Sequence, residues 1–218
     1  PGRIERLVVL AEDSGATPLV VLTKIDLVGP DEVDEVRATV AAVAPGVDVL
    51  TVSNVTGAGL GEVRRRLGRG RTLALVGPSG TGKSSLVNAL VGRELLATGA
   101  VRPGDARGRH TTTVRELVAI PGPDGSEGGG GLVLDTPGIR AIGLADATEA
   151  LERVFADIEE LARSCRFADC AHDTEPGCAV QAAVAAGELD RRRVERHRAL
   201  RAEIAEQAER ARRRRKRR

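Results

Sequence analysis

Residues 72–92, TLALVGPSGTGKSSLVNALVG, constrain the fold more than any other stretch of the chain. An apolar run, TLALV, enters a glycine-rich loop, and a second apolar run with helical spacing, SLVNAL, leaves it. Gly77, Pro78, Ser79, Gly80, Thr81, Gly82, Lys83 and Ser84 fit G-x-x-x-x-G-K-[ST], with Ser85 directly after. The glycines let backbone N–H groups turn inward around the α- and β-phosphates of a nucleotide. The following helix then starts with the positive end of its dipole toward them. Lys83 is expected to reach the β- and γ-phosphates and Ser84 to ligate Mg²⁺. A glycine-rich turn without a ligand would not require strand, spacing and helix together. A chain built around this unit is α/β, with the strand inside a parallel sheet.

The flanking sequence agrees. RIERLVVLAEDS, residues 3–14, places Ile4, Leu7, Val8 and Ala11 on one helical face, and Gly15 stops it. TPLVVLTKID reads as a buried strand, PDEVDEVRATVAAV as a helix, GVDVLTVS as a strand and GLGEVRRRLG as a helix. VRELVAI and GLVLDTPG read as two more strands, antiparallel at one side of the sheet. The segment between them, PGPDGSEGGGG, is glycine-rich enough to be mobile. Residues 149–163 read as one helix, AAVAA at 182–186 as the packed side of a short helix, and the chain from near Glu188 as a long charged helix. With 218 residues and only Phe155 and Phe167 aromatic, the core must be aliphatic. The expected architecture is a doubly wound, mostly parallel sheet over residues 1–147, followed by a small helical module over 148–218.

Two further features bear on the nucleotide. The strand VVLTKID ends in Thr23, Lys24, Ile25 and Asp26. A carboxylate at Asp26 can accept both hydrogen bonds from guanine N1 and N2 while the Lys24 stem lies over the ring. Adenine has no such donor pair, so GTP is expected over ATP, against the competing reading of a P-loop ATPase or small-molecule kinase. Thr23 stands where Asn is usual, so one bond bracing this pocket is weaker or differently supplied. TVSN, residues 51–54, ends the next strand, and its backbone near Ser53 is placed to touch the guanine oxygen. Asp135-Thr136-Pro137-Gly138 ends an apolar strand downstream of the phosphate loop. Asp135 can hold Mg²⁺ through water and the Gly138 amide can meet the γ-phosphate. Alone the tetrapeptide would be an ordinary turn.

Cys165-x4-Cys170-x-His172-x5-Cys178 offers three thiolates and an imidazole, the complement of a closed tetrahedral zinc site with a structural role. The alternative is three buried free cysteines beside a chance histidine. Residues 191–218 carry 14 Arg or Lys against 4 Glu, a local balance of +10 that leaves −8 on the first 190 residues. Repulsion in RARRRRKRR favours an extended or frayed tail. Charge alone leaves it either a solubilising tail or a nucleic-acid contact. No apolar run approaches the roughly 18 residues of a membrane span, and a soluble cytoplasmic chain, without membrane contact, is expected.

Base-reading boxes before the phosphate loop and a γ-phosphate box after it define a circularly permuted GTPase order. With TKID, GPSGTGKSS, GRHTTT at 108–113, DTPGIR and the spaced zinc ligands in this sequence, the chain closely resembles the ribosome small subunit-dependent GTPase A family (RsgA) from about residue 3 into the charged C-terminal helix. The fold tolerates the permutation because loops at the carboxyl ends of several strands make the site, whatever their order. The resemblance implies a monomeric GTPase of late small-subunit maturation that binds rRNA, partly through the zinc module and terminal helix, and leaves on hydrolysis to GDP. Small GTPases often place Gln directly after the Asp-x-x-Gly box to orient water. Ile139 occupies that place here. His110 is the candidate replacement, a role the resemblance also implies, the alternative being a surface histidine. One of Thr111, Thr112 and Thr113, with Thr112 favoured, should reach Mg²⁺ and the γ-phosphate. The resembled family also carries an N-terminal OB-fold and a central strand between those of the phosphate loop and of VVLTKID. Neither is found here, so a fragment or shortened product with a gap in its sheet is expected. A second functional reading is a truncated RNA-binding zinc module with weak or vestigial GTPase activity.

Overall fold

Each of the five runs read as a strand becomes a short strand, and glycines follow the ends of several of the helices. The structure, a computed structural model, describes residues 2–96, 116–126, 128–136, 144 and 147–216. Its strands are β1 (Leu19–Leu22), β2 (Asp48–Thr51), β3 (Thr72–Leu75), β4 (Glu116–Ala119) and β5 (Leu132–Asp135). The helices are α1 (Gly2–Asp13), α2 (Pro30–Val43), α3 (Leu60–Arg66), α4 (Lys83–Val91), α5 (Thr148–Val154), α6 (Ala156–Ala162), α7 (Ala179–Ala186) and α8 (Arg191–Lys216).

By packing, the chain falls into two compact units: residues 19–38 with 48–141, and residues 1–18 with 39–47 and 142–218. In the first, β1 and β2 pair in parallel with Leu19 opposite Asp48. β3 pairs in parallel with β5, Thr72 opposite Leu132, and β4 runs antiparallel on the other side of β5. These are separate sheets, and among the described residues no strand joins β1 to β3. The separation falls where the sequence places a gap. On β4, Val118 is buried and Leu117 exposed, the alternation of a strand covered on one face. Val52, Val63, Leu75, Leu86, Leu90 and Val133 form an aliphatic core between these strands and helices. Gly59, at φ 75, packs so closely on β2 that a Cβ would overlap the Thr51 carbonyl oxygen. Described residues of the segment PGPDGSEGGGG, expected to be mobile, are joined by backbone hydrogen bonds. Gly122 N–H donates to Ser126 O at 2.8 Å, and Gly130 N–H to Ile120 O at 3.0 Å.

The second unit is helical. Val8, Val9, Leu151, Phe155, Ile158, Val180, Val194 and Ile204 share its core, so α1 packs with the C-terminal helices. The single helix expected over 149–163 is two, because Phe155 leaves the helical region at φ −113. That break turns the Phe155 ring under Arg193, whose guanidinium lies 4.6 Å from the ring centroid. Arg193 is buried and fully engaged. It donates to Asp157 at 2.7 and 2.8 Å, to Val43 O at 2.9 Å and to Val154 O at 2.9 Å, and it faces the buried Glu5 at 3.5 Å. Arg196 pairs with the other Glu5 oxygen. Removing one member of a buried ion pair strands the other. Arg193→Met should therefore destabilise this unit by about 3–5 kcal/mol, read from the denaturant midpoint.

α8 continues to Lys216 where a frayed tail was expected. Arg210 reaches Glu206 at 2.6 Å and Arg213 reaches Glu209 at 2.8 Å, i,i+4 pairs that offset part of the repulsion. Among the described residues no helix is long and apolar enough to cross a membrane.

Candidate functional site

β3 delivers the chain into the phosphate loop and α4 begins at Lys83, as the motif requires. Gly82, in the left-handed region at φ 85, caps the helix without a side chain. The first-turn N–H groups are thus left to a ligand of negative charge. Lys83 Nζ donates to Gly77 O at 3.0 Å and Pro78 O at 2.8 Å, which holds the ammonium over the loop. Burial lowers its pKa, and Asp135 opposes that shift. Thr81 Oγ1 donates to Pro78 O at 2.9 Å. Ser84 Oγ donates to Asp135 Oδ2 at 3.0 Å, while Asp135 is fully buried and its Oδ1 has no hydrogen-bond partner among the described residues. A buried carboxylate with an unused oxygen beside a hydroxyl is a fitting donor set for Mg²⁺.

The Thr-Lys-x-Asp box and the end of β2 are tied to the phosphate loop through consecutive carbonyls. Lys24 Nζ donates to Gly80 O at 3.0 Å, Thr23 Oγ1 to Thr81 O at 2.8 Å and Asn54 Nδ2 to Gly82 O at 3.1 Å. The brace that Asn would normally give is thus supplied by the Thr23 hydroxyl, with Asn54 adding a second one. Sequence reasoning gave Asn54 no role; a carboxamide directly after Ser53 at a strand end was the available signal. Lys24 sits at φ 62, a left-handed conformation that costs a side-chain-bearing residue about 1–3 kcal/mol and collects at functional positions. Ile25 N–H donates to Val52 O at 3.4 Å, holding the turn that presents the exposed Asp26. Buried Ser53 accepts from the N–H groups of Val55 and Thr56 at 3.2 and 3.0 Å and so shapes the adjoining loop. His110, Thr111, Thr112, Thr113 and Gly138 lie outside the described residues.

The four sequence-predicted metal ligands converge. The Sγ atoms of Cys165, Cys170 and Cys178 and a His172 ring nitrogen all lie within 4.8 Å of one another. His172 Nδ1 is 3.7 Å from Cys165 Sγ and 3.5 Å from Cys178 Sγ, and those two sulfurs are 3.9 Å apart. A tetrahedron with Zn–S of about 2.3 Å and Zn–N of about 2.0 Å has edges of roughly 3.5–3.8 Å. The donor set fits zinc. Backbone amides support the sulfurs: Gln181 N–H donates to Cys178 Sγ at 3.4 Å, at the start of α7. Burial works to raise the Cys165 thiol, but hydrogen bonds from the amides of Val180 and Ala179 together with those to Cys178 and Cys170 outweigh it and lower its pKa. Burial pushes Cys170 up to about 11, although His172 N–H donates to its sulfur. His172 is lowered by burial and by Arg201, which favours the neutral, ligating imidazole. The Glu175 carboxylate accepts from Asp173 N–H and Ala171 N–H, both at 2.8 Å, and these amides bring it down to about 2.

A phosphate loop after β3, a buried carboxylate at the end of β5 and a Thr-Lys-x-Asp box that follows β1 and precedes both define a circularly permuted P-loop GTPase fold. The chain belongs to the RsgA GTPase family, whose model matches residues 1–145. It is 51% identical over 203 residues to "Small ribosomal subunit biogenesis GTPase RsgA" of Streptomyces coelicolor, covering 92% of this chain and 53% of that protein. It is 44% identical over 204 residues to the protein of the same name from Xanthomonas euvesicatoria, covering 94% and 54%. The chain thus spans about half the length of the curated relatives it matches. Among solved structures it resembles YjeQ from Thermotoga maritima, with TM-score 0.61 and 30% identity over 93% of this chain and 65% of that one. It also resembles YloQ, described as a circularly permuted GTPase, with TM-score 0.59 and 26% identity over 94% and 63%.

Proposed function

We propose that this chain binds and hydrolyses GTP as part of a factor acting in late maturation of the small ribosomal subunit, contacting rRNA and released on hydrolysis. The observation that carries the reading is the bracing of the base-reading box onto Gly80, Thr81 and Gly82, next to the Ser84–Asp135 pair. The relatives' printed name supplies the biological setting. In this reading Asp26 selects guanine, Lys83 and the α4 amides neutralise the phosphates, and Ser84 and Asp135 hold Mg²⁺. Held there, Mg²⁺ would supply positive charge against the phosphates during transfer. Thr112 completes its coordination, Gly138 meets the γ-phosphate and His110 orients the attacking water. Zinc on Cys165, Cys170, His172 and Cys178 is structural and holds the module of residues 148–218 in the form that meets rRNA. The protein works in the cytoplasm as a monomer.

Steady-state GTP turnover of this chain, titrated with small ribosomal subunits, tests the reading. Turnover should rise with subunits. His110→Ala should lower the stimulated rate at least about tenfold, as expected for loss of a group that handles the nucleophile, while GDP affinity stays unchanged. An unchanged stimulated rate in that variant would remove His110 from the chemistry. Subunit binding without stimulated turnover would favour the second reading, an RNA-binding zinc module with vestigial GTPase activity, for which the basic end of α8 speaks.

A further inference from the structure

We propose that Glu175 and Gln181 are positioning residues that hold the His172 backbone in the one conformation that delivers its imidazole to the cysteines. His172 adopts φ 56, one of only two non-glycine residues with positive φ among the described residues. A histidine left to itself relaxes out of this region, because its Cβ crowds the neighbouring carbonyl. Here both peptide planes beside it are fixed. On the N-terminal side His172 N–H points to Cys170 Sγ, and the next plane back is held by Ala171 N–H, which donates to Glu175 Oε1 at 2.8 Å. On the other, Asp173 N–H donates to Glu175 Oε2 at 2.8 Å, and Gln181 Nε2 donates to His172 O at 2.6 Å. Gln181 also gives its own N–H to Cys178 Sγ at 3.4 Å, so it links two ligands. Fixing the two planes fixes φ and ψ. The ring then reaches 3.5 Å from Cys178 Sγ and 3.7 Å from Cys165 Sγ without the metal having to force it there. The carboxylate has no direct place in the tetrahedron, which the four ligands complete.

The inference rests on the reading of this cluster as a zinc site, and the test separates the two. Zinc affinity of the full chain is measured by chelator competition for the wild type, Glu175→Gln, Gln181→Ala and Asp173→Asn, and again for Glu175→Gln in a His172→Ala background. Glu175→Gln keeps one acceptor but turns an N–H donor toward the other amide. It should weaken zinc at least about tenfold, in the range typical of groups that orient metal ligands. Gln181→Ala should weaken it in the same direction. Asp173→Asn removes a nearby charge, one held by Arg198 at 2.9 Å, and should stay within about twofold of the wild type if geometry rather than charge matters. Once His172 is gone, Glu175→Gln should add almost nothing, because its effect passes through that residue. Wild-type zinc binding with equal loss in Glu175→Gln and Asp173→Asn, or with a full Glu175→Gln effect in the absence of His172, overturns the positioning role. A wild type that takes no zinc overturns the zinc reading and this inference with it.

Discussion

Asp26→Asn should weaken GTP binding by about two to four orders of magnitude and shift preference to xanthosine triphosphate. In the proposed reading a carboxylate there accepts from both guanine N1–H and the N2 amino group. Each bond to a charged acceptor contributes about 1.5–3 kcal/mol, so losing the pair corresponds to roughly 10²–10⁴ in affinity. Asparagine presents one acceptor and one donor, and its NH₂ then faces the guanine amino group. Xanthine has a carbonyl at that carbon, which the new donor satisfies. The turn that carries Asp26 is fixed by Ile25 N–H to Val52 O and by the Thr23 and Lys24 bonds to the phosphate loop, none of which uses the Asp26 side chain. Competition of GTP, XTP and ATP against labelled GDP and XDP reads the result. An unchanged GTP-to-XTP ratio would show that Asp26 does not read the base. Thr23→Val serves as the contrast: it removes the bond to Thr81 O, so all purines should weaken together by about fivefold to tenfold, the value of one neutral hydrogen bond.

What the sequence made legible was local. α2 spans Pro30–Val43, the bounds its apolar spacing implies, and the strand–loop–helix around Lys83 forms because its glycines and flanking runs leave little choice. The convergence of Cys165, Cys170, His172 and Cys178 was readable because thiolates and imidazole at short spacing have few uses other than a shared metal. What stayed hidden depended on partners distant in sequence. Nothing in TEALERVFADIEELA marks a break at Phe155; the cause is Arg193, which takes the Val154 carbonyl and covers the ring. Glu5 reads as a solvated helix residue, yet it is fully buried against Arg193 and Arg196. Asn54 is a side chain at a strand end until Gly82 O is brought beside it. In each case the residue type permitted several roles, and a contact across tens of residues selected one.

If the cluster holds zinc as proposed, that long-range packing sets the expected result of removing it: α1 should lose its structure along with α7 and α8, although it lies more than 150 residues from Cys165 in the sequence. Apparent binding free energies of structural zinc, about 10–16 kcal/mol, match or exceed the 5–15 kcal/mol that stabilises a typical domain. Without the ion, Cys170 and Cys178 are buried polar groups in the same core as Val8, Val9, Phe155 and Val180. The sulfur that caps the first turn of α7, Cys178 Sγ accepting from Gln181 N–H, is then no longer anchored by the metal and holds that turn less firmly. Once α8 loosens, Arg193 and Arg196 leave Glu5, and a buried carboxylate in α1 is left uncompensated. Amide hydrogen exchange of the full chain with and without a zinc chelator, or of Cys178→Ala, reads this directly. Protection should fall across 2–13, 148–162, 179–186 and 191–209 together, while β3, α4 and β5, whose core is separate, keep theirs. Loss confined to residues near the cysteines, with α1 still protected, would show that the Glu5–Arg193 contact does not couple α1 to the metal.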